Sequence, residues 1–242
     1  MSETDSEILI AVPTLNEARN IQLLLTRLCQ TLPNARIVVI DDSSPDGTAA
    51  IVRRFALEHP RVSVICRPHR LGIGSAHKMA IEIARTTEAK TLVTLDADLT
   101  HNPEDLPRLI RSLDHAEIAV GSRFLPSGGL VGWTLWRRLL TNLGHAATRR
   151  ILGIPHDATG ALRAYRVCYL EALFAGVELS NSYSWFYESL TVAHQRGARI
   201  VETPIVLTAR TYGSSKMRVR DIVFGAANLL HFRRKLRQVT RS

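Results

Sequence analysis

Two aspartates, Asp96 and Asp98, follow the run Thr91-Leu92-Val93-Thr94-Leu95 and lie just ahead of Leu99-Thr100-His101-Asn102-Pro103. A β-branched, leucine-rich run of this length reads as a buried strand, and open α/β sheets gather their ligands at the carboxyl ends of such strands. Side chains two apart on a strand leave the same face, so a strand continuing through Asp98 would bring the two carboxylates together. Like charges that close repel unless a cation lies between them. All-oxygen ligands suit Mg²⁺ or Mn²⁺, and Mg²⁺ is usually held by one or two carboxylates together with substrate phosphates. The pair therefore points to a divalent ion clamping a diphosphate. The plainer alternative is two solvated turn aspartates before a helix that Thr100 or Asn102 caps and Pro103 begins.

A second acidic stretch, Asp41-Asp42-Ser43-Ser44-Pro45-Asp46-Gly47-Thr48, ends the apolar run Ala35 to Ile40. A carboxylate accepts two hydrogen bonds at once, so Asp42 suits a nucleobase or ribose hydroxyl, or an Asx turn. Arg210-Thr211-Tyr212-Gly213-Ser214-Ser215-Lys216 is a basic loop. Arginine matches phosphate oxygens in pairs and lysine adds a point charge, so this loop either closes over a diphosphate or stays as solvated surface. Glu188, next to Tyr183, Trp185, Phe186 and Tyr187, needs a partner if buried. Leu71-Gly72-Ile73-Gly74 lacks the third glycine and later acid of a dinucleotide loop and reads as a helix entry.

Strands alternating with helices must carry these groups. Strands are expected at Glu7 to Val12, Ala35 to Ile40, Val62 to Cys66, Thr91 to Leu95 and Ile118 to Gly121, with a late one at Arg199 to Glu202. Helical spacing places Ile21, Leu24, Leu25 and Leu28 on one inner face and Ile51, Val52, Phe55 and Leu57 on the next; Gly72 to Arg85, Pro103 to Leu113 and a stretch from Ser182 to about Gln195 follow. This order predicts a mainly parallel α/β sheet flanked by helices, with the loops after the first, second and fourth strands on one edge. Trp133 to Leu152 is either a core helix or an interfacial one, with Trp133, Trp136, Leu139, Leu140, Leu143 and Ala147 on one face and Arg137, Arg138, Arg149 and Arg150 at its rim. Met217 to Gln238 reads as an amphipathic helix ending in the basic cluster Arg233-Arg234-Lys235-Leu236-Arg237, suited to anionic headgroups.

The net charge of +9 over 242 residues is unevenly spread: residues 1–119 hold 13 basic and 16 acidic side chains, residues 120–242 hold 18 and 6. The second half is thus suited to something anionic, whether a phosphorylated substrate, a membrane surface or nucleic acid. Cys29, Cys66 and Cys168 lie far apart and read as reduced thiols of a cytoplasmic protein. The polar N-terminus is unlike a signal peptide, and no apolar run nears the roughly 20 residues of a bilayer span, so membrane contact is expected to be peripheral.

Taken together, VPTLNE at 12–17, IDDSSPDGT at 40–48, LDADLTHNP at 95–103, GSRF at 121–124 and RTYGSSK at 210–216 resemble glycosyltransferase family 2, and within it the dolichol- or polyprenol-phosphate mannosyltransferases. The resemblance implies a Rossmann-like GT-A catalytic domain over residues 7–216, followed by the basic helix at 217–242. It implies that Pro13, Leu15, Glu17, Ile40 and Asp42 hold guanosine, and that Asp96, Ala97 and Asp98 hold the diphosphate. Asp98, with Thr100 in place of a glutamine ligand, would hold the metal. Arg123, Arg210 and Lys216 would contact the donor or its phosphates, while Arg123, Arg137 and Thr141 would receive the acceptor phosphate. Leu15 stands where tyrosine is common, Ala80 where glycine is, and Asp157 to Arg163 is a looser form of the family's Asp-x-Thr-Ser-Gly-Phe-Arg signature.

The implied reaction is inverting transfer of mannose from GDP-mannose to a polyprenyl monophosphate at the cytoplasmic face of a membrane, with a membrane-anchoring subunit as a further partner. The alternative within the fold is a UDP-sugar transferase acting on a polyprenyl phosphate or a polysaccharide; a hydroxyl acceptor would need a carboxylate base, for which Asp157 and Glu188 are candidates. A basic nucleic-acid-binding module leaves the aspartate-ended strands without a purpose, and no nucleic-acid partner is expected.

Overall fold

The computed structural model describes residues 6–209 and 228–236. β1 (Ile8–Thr14), β2 (Arg36–Asp41), β3 (Val62–Cys66) and β4 (Thr91–Thr94) pair in parallel in the order β3-β2-β1-β4. Both faces of this half-sheet are apolar because both are covered. α1 (Ile21–Thr31) and α2 (Thr48–Ala56) pack beneath Ile10, Val12, Ile37 and Val39, whereas α3 (Ile73–Arg85) packs over Leu9, Ala11, Val38 and Ile40. Ile21, Leu24, Leu25 and Leu28 are all buried as their spacing predicts, each contributing roughly 2 kcal/mol by removal from water. Of the apolar residues expected on α2's inner face Val52 is fully buried, Ile51 and Phe55 lie at the margin, and Leu57 faces solvent just past the helix end.

Past β4 the sheet is no longer purely parallel. β7 (Arg163–Arg166) runs antiparallel between β4 and β5 (Ile118–Ser122), and β8 (Ile200–Pro204) adds in parallel outside β5, completing the order β3-β2-β1-β4-β7-β5-β8. A separate parallel pair joins β6 (Gly129–Val131) to β9 (Val206–Thr208). Arg-Ala-Tyr-Arg is no apolar run, and sequence periodicity does not find β7. Arg163 is nonetheless fully buried. Its guanidinium donates to the carbonyls of Ala158, Gly160 and Phe186 and to the Ser189 hydroxyl, and it lies over the Trp185 and Phe186 rings. A buried cation is tolerated when its donors are satisfied in this way.

Two shifts of strand boundary bear on the site. β1 continues through Thr14, and β4 stops at Thr94. Asp96 and Asp98 therefore do not share a strand face; they sit in a loop in which Leu99 turns the chain at φ 61°. The helix expected from Pro103 is a 3-10 turn, Pro103–Asp105, capped by the Asn102 side chain and followed by α4 (Leu106–Arg111).

α5 (Leu135–Leu152) corrects the core-helix alternative: Thr148 is its only fully buried residue, while Leu135 is 83% and Trp136 65% exposed among the described residues. α6 (Leu170–Phe174) and α7 (Trp185–Gln195) follow, α7 packing on α3. A last helix, α8 (228–236), buries Leu229 and Phe232, the latter edge-on to Tyr187 at 6.2 Å. No helix among the described residues is long and apolar enough to cross a membrane.

Removing the Arg163 side chain takes a donor from four buried acceptors, the Phe186 carbonyl keeping the Ser189 hydroxyl at 3.2 Å, so Arg163→Ala is expected to cost about 3–5 kcal/mol in urea unfolding. Arg163→Lys should recover only part, because an ammonium has three donors and no fork. A loss below about 1 kcal/mol would show that the guanidinium is not what holds β7 in place.

Candidate active site

The carboxyl ends of β1, β2, β3 and β4 open onto one cavity of about 470 Å³, within the range usual for small-molecule sites. Pro13, Thr14, Leu15 and Glu17 line it from β1, Asp42 from β2, Arg67, Arg70 and Gly72 from the loop after β3, and Asp96, Ala97 and Asp98 from β4. A further wall, Ser180 to Tyr183, comes from the segment ahead of α7.

Much of the acidic motif after β2 is spent on holding the loops. Asp41 accepts the Thr14 hydroxyl at 2.9 Å, the Ser44 hydroxyl at 2.6 Å and the Ser44 amide at 2.8 Å, joining the ends of β1 and β2. Asp46 accepts the Ala18 amide at 2.9 Å and both donors of Thr48, whose hydroxyl in turn accepts the Glu17 amide. Asp42 is buried. Its two oxygens take the amides of Leu71 and Gly72, each at 3.0 Å, and it pairs with the Arg67 guanidinium at 2.6 Å. Burial lowers the Arg67 pKa while Asp42 opposes that shift. Asp42 therefore shapes the loop into α3 as well as lining the cavity.

Asp98 is buried and accepts the Thr100 amide at 3.1 Å and the Thr100 hydroxyl at 2.6 Å on one oxygen. The Thr100 hydroxyl thus serves as a donor to Asp98, and Thr100 does not line the cavity. Asp96 is partly exposed at the cavity wall, 3.7 Å from Nε2 of His101. Among the described residues no group of three or more His, Cys, Asp or Glu gathers for a metal. Two carboxylates of oxygen-only chemistry at a cavity large enough for a nucleotide fit a hard divalent cation whose remaining ligands come from substrate phosphate and water.

Of the residues expected at the nucleotide, Pro13, Leu15, Glu17, Asp42, Asp96, Ala97 and Asp98 come together here, whereas Ile40 is buried within β2. Arg123 lies outside the lining, at the end of β5. It donates to Asp157 at 3.1 Å and to the Thr159 hydroxyl, while its Nε is buried without a hydrogen-bond partner. The Asp157 amide is tied to Glu202 at 2.8 Å, and Thr94 beside it bonds the Ala161 carbonyl, so this loop sits next to the end of β4. Arg137 stands over the Trp133 ring at 5.3 Å on α5, with Thr141 one turn further along. Arg210 and Lys216 fall outside the described residues.

Sequence reasoning does not place Arg67, Arg70 or the 180–183 wall in the site. A signal for the first two exists: β3 ends at the same edge, and Arg67-Pro68-His69-Arg70 follows it directly.

The family model for glycosyl transferase family 2 matches residues 9–174. A polyprenol monophosphomannose synthase of Mycolicibacterium smegmatis is 37% identical over 226 residues, covering 90% of this chain and 85% of its own length. An undecaprenyl-phosphate mannosyltransferase of Micrococcus luteus is 35% identical, covering 87% of each. Among solved structures, glucosyl-3-phosphoglycerate synthase from Mycobacterium tuberculosis with Mn²⁺, UDP-glucose and phosphoglyceric acid superposes with a TM-score of 0.68 at 18% identity, over 96% of this chain and 82% of that one. A mannosyltransferase from Pyrobaculum calidifontis in complex with GDP-Man and Mn²⁺ gives 0.61 at 20% identity, over 98% and 64%. These two likenesses are of fold.

Thr100→Val removes a hydroxyl that orients Asp98, and turnover is expected to fall only about tenfold, the lower end of what one hydrogen bond to a charged group is worth. A loss of a thousandfold would instead place the threonine oxygen on the ion itself.

Proposed function

The chain belongs to glycosyl transferase family 2, and from that premise we propose that it transfers mannose from GDP-mannose to a polyprenyl monophosphate, giving a β-mannosyl phosphoryl lipid. The observation that carries the reading is the meeting of Asp42, Asp96 and Asp98 in one cavity of a chain whose relatives are named for mannosyl transfer to polyprenyl phosphates.

In this reading Pro13, Leu15, Glu17 and Asp42 receive the guanosine, Ile40 supports that contact from within β2, and Asp96, Ala97 and Asp98 face the diphosphate. Asp96 and Asp98 would hold Mg²⁺ or Mn²⁺, which when bound offsets the charge developing on the departing diphosphate. Arg210 and Lys216 are proposed to add cationic contacts to the same phosphates. Arg123, anchored by Asp157, is proposed to face the acceptor phosphate, which Arg137 and Thr141 meet from α5. A phosphate monoester has its second pKa near 6, so the attacking oxygen is already largely ionised and needs no strong base.

Neither carboxylate that a hydroxyl-activating UDP-sugar transferase would call on lines the cavity: Asp157 pairs with Arg123 through Oδ1, and Glu188 accepts the Ser180 amide at 2.7 Å. Their place outside the lining favours the phosphate acceptor. We further propose that residues 7–216 form the catalytic unit and that residues 217–242 and α5 lie against the cytoplasmic surface of a membrane, with or without an anchoring subunit. Leu135, Trp136, Leu139 and Leu143 stand exposed on α5, a face suited to a lipid chain.

The test is transfer of labelled sugar from GDP-mannose, with UDP-sugars as competitors, into organic-extractable lipid with Mg²⁺ or Mn²⁺ present. Label in the organic phase from GDP-mannose is expected. Label confined to the aqueous phase overturns the acceptor, and preference for a UDP-sugar overturns the donor. Chelation should stop the reaction, and Asp98→Ala is expected to lower turnover about 100-fold or more in a chain that still folds, as its circular-dichroism spectrum would show. Full activity in the folded variant would remove Asp98 from the metal.

A further inference from the structure

The 180–183 wall of the cavity is seated on α3. Gly74 donates its amide to the Asn181 carbonyl at 2.9 Å, and a Cβ at Gly72 or Gly74 would come within 2.4 Å of the Asn181 or Ser180 carbonyl oxygen. One turn along α3, the Lys78 ammonium donates to the Leu179 carbonyl and, at 2.8 Å, to Oδ1 of the Asn181 side chain. From the opposite side Glu188 accepts the Ser180 amide at 2.7 Å, and Asn228 of α8 reaches the Ser184 hydroxyl at 3.3 Å. The wall is therefore held by α3 and α7, with α8 fixing the residue that follows it, and has little freedom of its own. Asn181 is exposed to the cavity, and with Oδ1 committed to Lys78 its amide nitrogen carries two N–H donors that no other residue among the described ones takes up.

We propose that Lys78 is a positioning residue for donor binding: by fixing Oδ1 of Asn181 it aims the Asn181 amide N–H groups into the cavity, where they meet acceptor oxygens of the nucleotide sugar. The physical gain is preorganisation. An amide free to flip presents donor or acceptor to the ligand and loses entropy on binding, whereas one clamped by an ammonium presents only donors. The lysine suits this role because it is half-buried between Glu178 and Glu188, and their carboxylates oppose the lowering of its pKa by burial. The inference rests on the cavity being the donor site.

The experiment is equilibrium binding of GDP-mannose and of UDP-glucose to the full chain, paired with steady-state transfer from whichever donor the parent chain binds. Lys78→Met is expected to raise donor Kd and KM about tenfold, with kcat within about twofold and KM for polyprenyl phosphate unchanged. Lys78→Arg should recover most of the loss, since a guanidinium also spans two oxygens. Asn181→Ala, at an exposed position, should match Lys78→Met, and the double variant should be no weaker than either alone. Donor affinity unchanged in Asn181→Ala, or a fall in kcat without a rise in donor KM in Lys78→Met, overturns the proposal and leaves the donor site standing. A parent chain that binds neither nucleotide sugar overturns both.

Discussion

An acid at the carboxyl end of a buried strand must find its hydrogen bonds in the loop that follows, and that requirement organises this molecule. Asp41, Asp42 and Asp98 are each almost wholly removed from water, and an unpaired carboxylate there would cost several kcal/mol. Each is satisfied by loop amides and hydroxyls: Asp41 by Thr14 and Ser44, Asp42 by Leu71, Gly72 and Arg67, Asp98 by Thr100. The loops are thereby pinned in the conformations that enclose a cavity. Ser43 and Leu99 both have positive φ, a conformation that costs energy for residues other than glycine and that these hydrogen bonds help to hold. Chemistry and scaffold are the same side chains.

The same logic governs the far side of the sheet with the sign of the charge reversed. Arg163 draws the loop from Ala158 to Gly160 onto α7 through four hydrogen bonds, and that loop carries Asp157, which in turn fixes Arg123. A strand that reads as polar is buried at the centre of the sheet because one guanidinium meets enough carbonyls to be there. The cavity and the cation beyond β5 are thus positioned by separate polar networks that share the edge of β4, where Thr94 bonds Ala161.

How much of this the sequence discloses follows from which interactions are local. Apolar runs ending in acids announce β1, β2 and β4 and their common edge, because a doubly wound sheet leaves no other arrangement of those loops; seven of the residues expected at the nucleotide do line one cavity. The same-face geometry of Asp96 and Asp98 fails because the strand ends two residues before the first of them, and a turn at Leu99 replaces the pleat. β7 and the 180–183 wall are hidden for a different reason. Neither has a periodicity of its own: one depends on partners for Arg163 from residues 158 to 189, the other on glycines of α3 more than a hundred positions away. Contacts of that range leave no pattern within a window of sequence.

Charge balance is similarly misleading until the partners are known. Of the cations that make the second half basic, Arg163 is internal, Arg123 is paired with Asp157, Arg199 with Glu117, and Arg196 is held by the carbonyls of Ala172 and Ala175. Among the described residues, exposed cations without such a partner remain on α5, at Arg149 and Arg150, and on α8, at Arg234, while exposed Arg138 reaches the Leu130 carbonyl and Lys235 lies 3.9 Å from Glu178. Those two helices also carry exposed Leu135, Trp136, Leu139, Leu143 and Leu230. A nucleic-acid surface calls for cations and stacking rings and gives aliphatic side chains nothing to bury against. Leucines interleaved with arginines match instead an interface whose outer layer is anionic and whose inner layer is hydrocarbon. The placement of the excess charge, rather than its size, is what supports a lipid-borne acceptor.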